Sequence, residues 1–132
     1  MKKVLLLLGV LSVSLFAEFK TIGAEELEKL QSKGVPVIDI RTPGEWVQTG
    51  IIKDAHKMMF FTPKGEADLA EWFFELGHLI KDKKEPFIIY CAHANRTKSL
   101  GKGLSQMGYK NVYELEGGIE NGWIKAGKKI VK

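Results

Sequence analysis

Residues 86–97 read PFIIYCAHANRT and contain the clearest indication of the fold. Its first five residues form an apolar, partly β-branched run, which is typical of a strand buried on both faces of a sheet. Cys91 follows directly, and a helix is predicted to begin at Arg96 and to end at Met107. A buried strand joined to a helix by a short loop is half of a β–α–β unit, so the stretch predicts a parallel sheet.

The alternation of strands and helices continues on both sides of this stretch. Strands are predicted at residues 19–22, 35–40, 51–58 (the weakest signal), 86–90 and 112–115. Helices are predicted at residues 24–32, 66–81 and 96–107, and a last short helix is expected to open at Gly117-Gly118 and to end near Trp123. Thr42-Pro43-Gly44 is expected to break the chain. The pattern predicts an α/β fold with a mainly parallel five-stranded sheet and helices on both faces.

The helix at residues 66–81 has the clearest amphipathic pattern. Its apolar residues recur at helical spacing and are expected to pack in the core: Leu69, Trp72, Phe73, Leu76, Leu79 and Ile80. In sheets of this class, ligands bind at the carboxyl ends of the strands, which is where Cys91 lies.

The N-terminal segment has the layout of a secretory signal peptide. Lys2 and Lys3 are positive, residues 4–16 are apolar, and Ala17 is a small residue suited to cleavage. The apolar run has 13 residues, whereas a membrane-spanning helix needs about 20. We therefore expect residues 1–17 to be removed and residues 18–132 to form one periplasmic domain. Cleavage after Ser14 and an uncleaved N-terminal anchor are the alternatives.

Charge and composition exclude some classes of partner. The formal net charge is +4, and it falls to +2 when Lys2 and Lys3 leave with the signal. Lysines and glutamates are interspersed without a long basic run, so nucleic-acid binding is not indicated. The apolar fraction of 45% and the charged fraction of 27% are ordinary for a soluble globular protein. After signal cleavage no membrane contact is expected.

Cys91 is the single cysteine of the chain. Because cysteines of exported proteins usually pair as disulfides, a lone thiol is either buried and inert, joined to another molecule, or reactive. The loop from Cys91 to Arg96 must reverse direction in a small space, so its N–H groups are expected to converge. Together with a helix N-terminus and the charge of Arg96, these groups favour a thiolate. The pattern therefore favours a reactive cysteine.

Four segments, in this order and spacing, resemble the rhodanese family of sulfurtransferases. PVIDIRTPGE at residues 36–45 resembles the Asp-x-Arg segment of the family, and the EW, GII and Ala55 that follow at residues 45–55 resemble its next stretch. Residues 91–96 match the Cys-x4-Arg loop, and GYKNVYELEGGIENGW at residues 108–123 is similar to the C-terminal signature. The resemblance extends from residue 19 to about residue 125 and implies a single rhodanese-like domain.

The resemblance implies that Cys91 is the catalytic nucleophile. It would take sulfane sulfur from a donor such as thiosulfate or polysulfide, carry it as a persulfide and pass it to a thiol or to cyanide. The rest of the loop would bind the substrate: Ala92, His93, Ala94, Asn95, Arg96 and Thr97. Asp39 and Arg41 are expected to brace the sheet and its loops rather than to touch the substrate. No metal or other cofactor is implied.

Two positions depart from the family pattern. Many members have a basic residue directly after the cysteine, where this chain has Ala92. The usual glycine of the loop is replaced by Ala94, which would cost about 1 kcal/mol if that position is left-handed. His93 either replaces part of the missing charge or faces solvent. These departures predict a weaker preference for thiosulfate over polysulfide.

Other functions are less well supported by the residues. Cysteine-dependent phosphatases of this plan have five residues between cysteine and arginine, whereas this loop has four, which favours a cradle for one sulfur atom over one for a phosphate. A thiol-disulfide oxidoreductase normally has a second cysteine, and His56, His78 and His93 lack the spacing of metal ligands. A periplasmic sulfur carrier that serves a partner oxidoreductase is the main alternative. The sequence leaves open whether the protein is a monomer or a homodimer.

Overall fold

The computed structural model describes residues 18–132, in which strands and helices alternate. The strands are β1 (Glu18–Ile22), β2 (Val37–Asp39), β3 (His56–Lys57), β4 (Phe87–Tyr90) and β5 (Asn111–Leu115). The helices are α1 (Ala24–Ser32), α2 (Pro43–Thr49), α3 (Leu69–Leu79) and α4 (Asn95–Gln106), and a π-helical segment, Ile119–Ile124, follows β5. The predicted signal peptide at residues 1–17 lies outside the described residues. Within residues 18–132 no helix has the length and apolar character needed to cross a bilayer.

The five strands form one parallel sheet in the order β1-β5-β4-β2-β3. Each connection between parallel strands crosses over a face of the sheet, which is why a helix lies in each of the four intervals between strands. The predicted five-stranded α/β fold is therefore confirmed. Strand β4 is central, so the loop that follows it opens in the middle of the carboxyl edge of the sheet.

Alternation along β4 divides the core between the two faces of the sheet. Phe87, Ile89 and then Cys91 belong to a cluster that includes residues of α3 and α4. Ile88 and Tyr90 belong to a cluster on the other face, which includes residues of α1 and the π-helical segment. All four residues of β4 are buried, as expected of a strand covered by helices on both faces. Cys91 thus continues the strand's pattern toward the α3 and α4 side.

One prediction was wrong at Thr42-Pro43-Gly44, where helix α2 begins. Thr42 is the N-cap, its side chain accepts a hydrogen bond from the N–H of Glu45, and the Glu45 carboxylate accepts one from the N–H of Thr42. Pro43 occupies the first helical position, where the missing N–H costs nothing and the fixed φ suits a helix. The residues that suggested a break form a capping box instead.

The other differences concern the lengths of elements and one residue of α3. The strand predicted at residues 35–40 is shortened to Val37–Asp39, and the weak one at residues 51–58 is only His56–Lys57. Trp72, Leu76 and Ile80 are buried as predicted, but Leu69 is 56% exposed. Because α3 begins at Leu69 after the Asp68 cap, this residue lies in the first turn and borders a surface groove rather than the core.

Candidate active site

Cys91 lies at the carboxyl end of β4 and is 1% exposed. Its thiol is free, and among residues 18–132 its one hydrogen-bond contact is with the hydroxyl of Thr97, with Sγ and Oγ1 3.8 Å apart. The strand fixes the backbone of Cys91, since Ile40 N–H donates to the neighbouring Tyr90 carbonyl across the sheet. The sulfur therefore has a fixed position at the base of the loop, with almost no surface open to solvent.

The loop presents backbone N–H groups beside the start of α4. Among residues 18–132, no hydrogen bond engages the N–H groups of Ala92, His93 or Ala94. Ala94 is the N-cap of α4 and has no side chain that could cap the helix, so the first N–H groups of α4 also lack a capping side chain. Free N–H groups at a helix N-terminus attract negative charge. The loop is therefore suited to hold a thiolate or the anion of a persulfide.

Ala94 makes this loop shape possible at a cost. Its φ of 71° and ψ of 12° lie in the left-handed region, where an L-residue other than glycine is strained by about 1–2 kcal/mol. The position predicted to need glycine is therefore left-handed, and the chain holds alanine there.

The segment after β5 covers the loop and holds its backbone. Ile119 N–H donates to the Cys91 carbonyl at 2.9 Å, and Glu120 N–H donates to the Ala92 carbonyl at 3.1 Å. Gly118, with φ +69°, lies so close that an added Cβ would be 2.3 Å from the Ala92 carbonyl oxygen. A glycine is required here because the two backbones touch. The C-terminal segment thus fixes the carbonyl groups of the loop and leaves its N–H groups free.

Arg96 forms a two-pronged ion pair with Glu45 from the first turn of α2. Each of two guanidinium nitrogens donates to a different carboxylate oxygen, both at 2.8 Å. The hydrogen bonds from Arg96 lower the pKa of Glu45 to about 2, and the same pair raises the pKa of Arg96. Since Glu45 also closes the capping box of α2, Arg96 links the cysteine loop to the start of α2. Its charge is already neutralised within the protein.

Asp39 and Arg41 form a second, fully buried pair beside the loop. Arg41 donates to both carboxylate oxygens of Asp39, to the hydroxyl of Thr49 at 2.7 Å and to the carbonyl of Gly50 at 2.7 Å. Both side chains are 0% exposed. These contacts join the end of β2 to the end of α2. The pair therefore stabilises the connection between these two elements and is not open to solvent.

Thr97 and Glu114 form a third polar cluster beneath the cysteine. Glu114 lies in β5 with a completely buried side chain, and its Oε1 accepts a hydrogen bond of 2.7 Å from the Thr97 hydroxyl. Its Oε2 accepts one of 2.7 Å from the Thr21 hydroxyl and also contacts the Lys98 ammonium group. The buried carboxylate is thus satisfied by three donors.

His93 has a titratable side chain that is half exposed to solvent. Its Nε2 lies 3.0 Å from Glu120 Oε1 at the rim of the site, and the side chains are 50% and 41% exposed. Asn95 is also exposed, at the start of α4. Each basic side chain of residues 91–98 therefore has a carboxylate partner: His93 with Glu120, Arg96 with Glu45, and Lys98 with Glu114.

Most of the chain matches one known domain family. A sequence model of the Rhodanese-like domain matches residues 23–126. The chain belongs to the rhodanese-like domain family. It is 29% identical over 108 residues to the thiosulfate sulfurtransferase GlpE of Ectopseudomonas mendocina, covering 79% of this chain and 84% of the relative. The GlpE protein of Haemophilus influenzae is 27% identical over 108 residues, covering 82% and 90%.

Solved structures share the fold of this chain. The crystal structure of a rhodanese-related protein from Thermoplasma volcanium superposes with a TM-score of 0.61 at 27% identity, covering 85% of this chain and 97% of that one. The polysulfide-sulfur transferase homodimer of Wolinella succinogenes has a TM-score of 0.66 at 23% identity, covering 86% and 78%. The resemblance to rhodaneses inferred from the motifs is therefore confirmed.

The rhodanese loop residues named from the sequence lie together, but two partners were missed. Cys91 contacts Thr97 across the loop formed by residues 92–96, whereas Asn95 is exposed to solvent. Neither Glu45 nor Glu114 was predicted to contact the loop. Glu45 is signalled by its position three residues after Thr42, and Glu114 by a charge in an otherwise apolar strand. Neither signal identifies the partner, which comes from another part of the chain.

Proposed function

We propose that this protein is a sulfurtransferase in which Cys91 carries sulfane sulfur as a persulfide. The general class follows from membership of the rhodanese-like family and from its relatives named thiosulfate sulfurtransferase. The observation that carries the assignment of Cys91 is its place at the carboxyl end of β4, directly before a loop whose N–H groups at residues 92–94 have no hydrogen-bond partner among residues 18–132 and which leads into α4. Such a setting stabilises an anionic sulfur, which both the nucleophile and the persulfide require.

Two displacements at sulfur make up the reaction. The Cys91 thiolate attacks the outer sulfur of the donor, a bond forms to Sγ, and the donor's S–S bond breaks with its electron pair leaving on the remaining fragment. The acceptor, a thiol or cyanide, then attacks the outer sulfur of the persulfide, and Cys91 leaves as a thiolate. One nucleophile suffices for this ping-pong route. The free N–H groups are the donors available to the outer sulfur.

The paired charges favour polysulfide over thiosulfate as the donor. Both donors are anions, but thiosulfate carries charge on a sulfonate group bonded directly to the sulfur that is transferred, so this group must also find a cation or several donors at the loop. Ala92 supplies no charge, and the charges of Arg96 and Lys98 are matched by Glu45 and Glu114. Glu120 adds a carboxylate at the exposed rim beside His93. A polysulfide needs only its terminal sulfur in the loop, so it loses less from the missing charge.

Export to the periplasm is part of the proposal. It is supported by the positive start, the 13-residue apolar run and the small residue at Ala17. Sequencing the N-terminus of the protein recovered from a periplasmic extract tests this, with residue 18 or residue 15 expected first. Recovery from the membrane fraction with residues 1–17 attached would contradict it.

The persulfide is tested by intact mass after treatment with polysulfide or thiosulfate. We expect a gain of about 32 Da, one sulfur atom, which a thiol reductant removes with recovery of the free thiol. Cys91→Ser should show neither this gain nor transfer to cyanide or a thiol. Transfer by Cys91→Ser at the wild-type rate would contradict the proposal. A loaded protein that does not turn over with small acceptors would be a sulfur carrier, and comparable hydrolysis of an aryl phosphate would indicate a phosphatase.

The donor preference is tested by removing the carboxylate at the rim. Glu120→Gln should raise kcat/KM for thiosulfate about two- to fivefold relative to polysulfide, since exposed charge pairs contribute about 0.3–1 kcal/mol. Glu85→Gln makes the same charge change next to the start of β4, at the opposite edge of the sheet, and should leave the ratio unchanged. Equal ratios in all three proteins would show that the rim charge does not select the donor.

A further inference from the structure

The Thr97 hydroxyl lies between a buried carboxylate and the cysteine sulfur. Its Oγ1 is 2.7 Å from Glu114 Oε1 and 3.8 Å from Cys91 Sγ. Thr97 is in the first turn of α4 and Glu114 is in β5, and both side chains are completely buried. Solvent therefore does not compete for either contact, and the direction of these hydrogen bonds is set by the protein.

A carboxylate can only accept hydrogen bonds, so Glu114 takes the single hydroxyl proton of Thr97. The Lys98 ammonium group and the Thr21 hydroxyl donate to the other carboxylate oxygen, an arrangement that suits the ionised form. The Thr97 hydroxyl can consequently only accept a hydrogen bond from Cys91. The thiol can donate its proton to Thr97, but a thiolate receives no hydrogen bond from it.

We propose that Glu114 is a positioning residue that makes Thr97 a hydrogen-bond acceptor toward Cys91. The contact stabilises the protonated thiol and withholds a donor from the thiolate. A thiolate that lacks this hydrogen bond is less abundant and more nucleophilic, because nucleophilicity rises with basicity among thiols. The inference rests on the proposed function only in taking Cys91 as the nucleophile.

The other charged groups near Cys91 do not reverse this effect. Arg96 acts on the sulfur through its charge, but both prongs of its guanidinium group are held by Glu45. The Lys98 ammonium group lies on the far oxygen of Glu114. The donors left for the thiolate are the N–H groups of the loop. The direction of the hydrogen bond between Thr97 and Cys91 therefore influences the ratio of thiolate to thiol at Cys91.

Glu114→Gln tests the proposal because the amide has one accepting and one donating end. The Lys98 ammonium group and the Thr21 hydroxyl need the accepting oxygen, so the NH2 group should face Thr97 and donate to its Oγ1. The hydroxyl proton of Thr97 is then free to donate to Cys91. We expect about a tenfold higher thiolate-to-thiol ratio at a given pH, the effect of one hydrogen bond to a charged group. Thiolate absorbance near 240 nm and the rate of alkylation, both followed against pH, measure the ratio without a sulfur donor.

A second substitution separates this effect from a general disturbance of the core. In a protein that already has Thr97→Val, Glu114→Gln should shift the pH dependence only through the loss of the Glu114 charge, and so by less than in the wild-type background, because no hydroxyl remains to reorient toward Cys91. Thr21→Val removes another donor to Glu114 without touching Thr97, and should behave as the wild type. An unchanged curve for Glu114→Gln, or an equal shift with and without Thr97, would overturn the proposal. Normal thiolate behaviour with no sulfur transfer would instead count against the proposed function.

Discussion

Gly118→Ala is expected to damage the cysteine loop from a distance in sequence. Gly118 has φ +69° and ψ −170°, a region open almost only to glycine, and another residue there costs about 1–3 kcal/mol. The added Cβ would also be 2.3 Å from the Ala92 carbonyl oxygen and 2.6 Å from the His93 nitrogen. Moving the two backbones apart would break the hydrogen bonds from Ile119 and Glu120, each contributing about 0.5–1.5 kcal/mol. The total destabilisation is about 2–6 kcal/mol.

Gly34→Ala provides the matched control for this experiment. Gly34 also has a positive φ, +95°, but no atom lies within 4 Å of the Cβ it would gain, so only the local strain of about 1–2 kcal/mol applies. Urea unfolding should give Gly118→Ala the larger loss of stability, and sulfur transfer measured well below its unfolding transition should fall only in that variant. If both variants lose the same free energy and both keep full activity, the close contact does not hold the loop.

Three further predictions concern the loop and its supports. Ala94→Gly should leave the protein equally stable or up to about 1 kcal/mol more stable in thermal unfolding, because relief of the left-handed strain offsets the flexibility of glycine; a loss of 1 kcal/mol or more would contradict the strain argument. Since Arg96 depresses the pKa of Glu45 to about 2, the pair stabilises the fold above the ordinary carboxyl pKa, and this contribution is lost as the pH falls from about 4.5 toward 2. Glu45→Gln should therefore lower stability at neutral pH by about 1–2 kcal/mol, allowing for solvent screening, and flatten the acid part of the stability curve, whereas Glu66→Gln at an exposed site should not. Tyr90→Phe removes the hydroxyl that accepts the buried N–H of residue 52 and should cost about 1–3 kcal/mol in urea unfolding; a loss below 0.5 kcal/mol would show that the N–H finds another acceptor.

The sheet could be predicted from the sequence because its signals are local. Buried parallel strands need continuous apolar runs, and the run before Cys91 is both apolar and β-branched, so β4 was found with an error of one residue. The first helix was predicted with its observed bounds, since Leu27 and Leu30 fall on one helical face and Gly34 marks the end. Strand β3 was poorly predicted because its two residues are exposed and are fixed by pairing with β2, which is not a local property.

Helix α2 was missed because the same residues are compatible with two local structures, a turn and a helix start. Threonine followed by proline and glycine is a common turn, but Thr-Pro with glutamate three positions after the threonine is also a helix start. In this protein the residues form a helix start, and Arg96 donates two hydrogen bonds to Glu45, which completes the capping box. This partner is 51 positions away in the sequence, so the strongest support for the start of α2 comes from tertiary structure.

The same distance in sequence explains why the charge of the site could not be predicted. Counting side chains in the loop suggests a basic site, with Arg96 free to attract anions, and the structure contradicts this reading because Arg96 is held by Glu45 from α2. Lys98 and His93 are likewise matched by Glu114 and Glu120, which come from β5 and the segment after it. Attraction for an anion must then come from the backbone of the loop and the start of α4, which does not depend on the charge of any loop side chain. It follows that changes to the carboxylates should alter the choice of donor more than changes to the loop's own uncharged side chains.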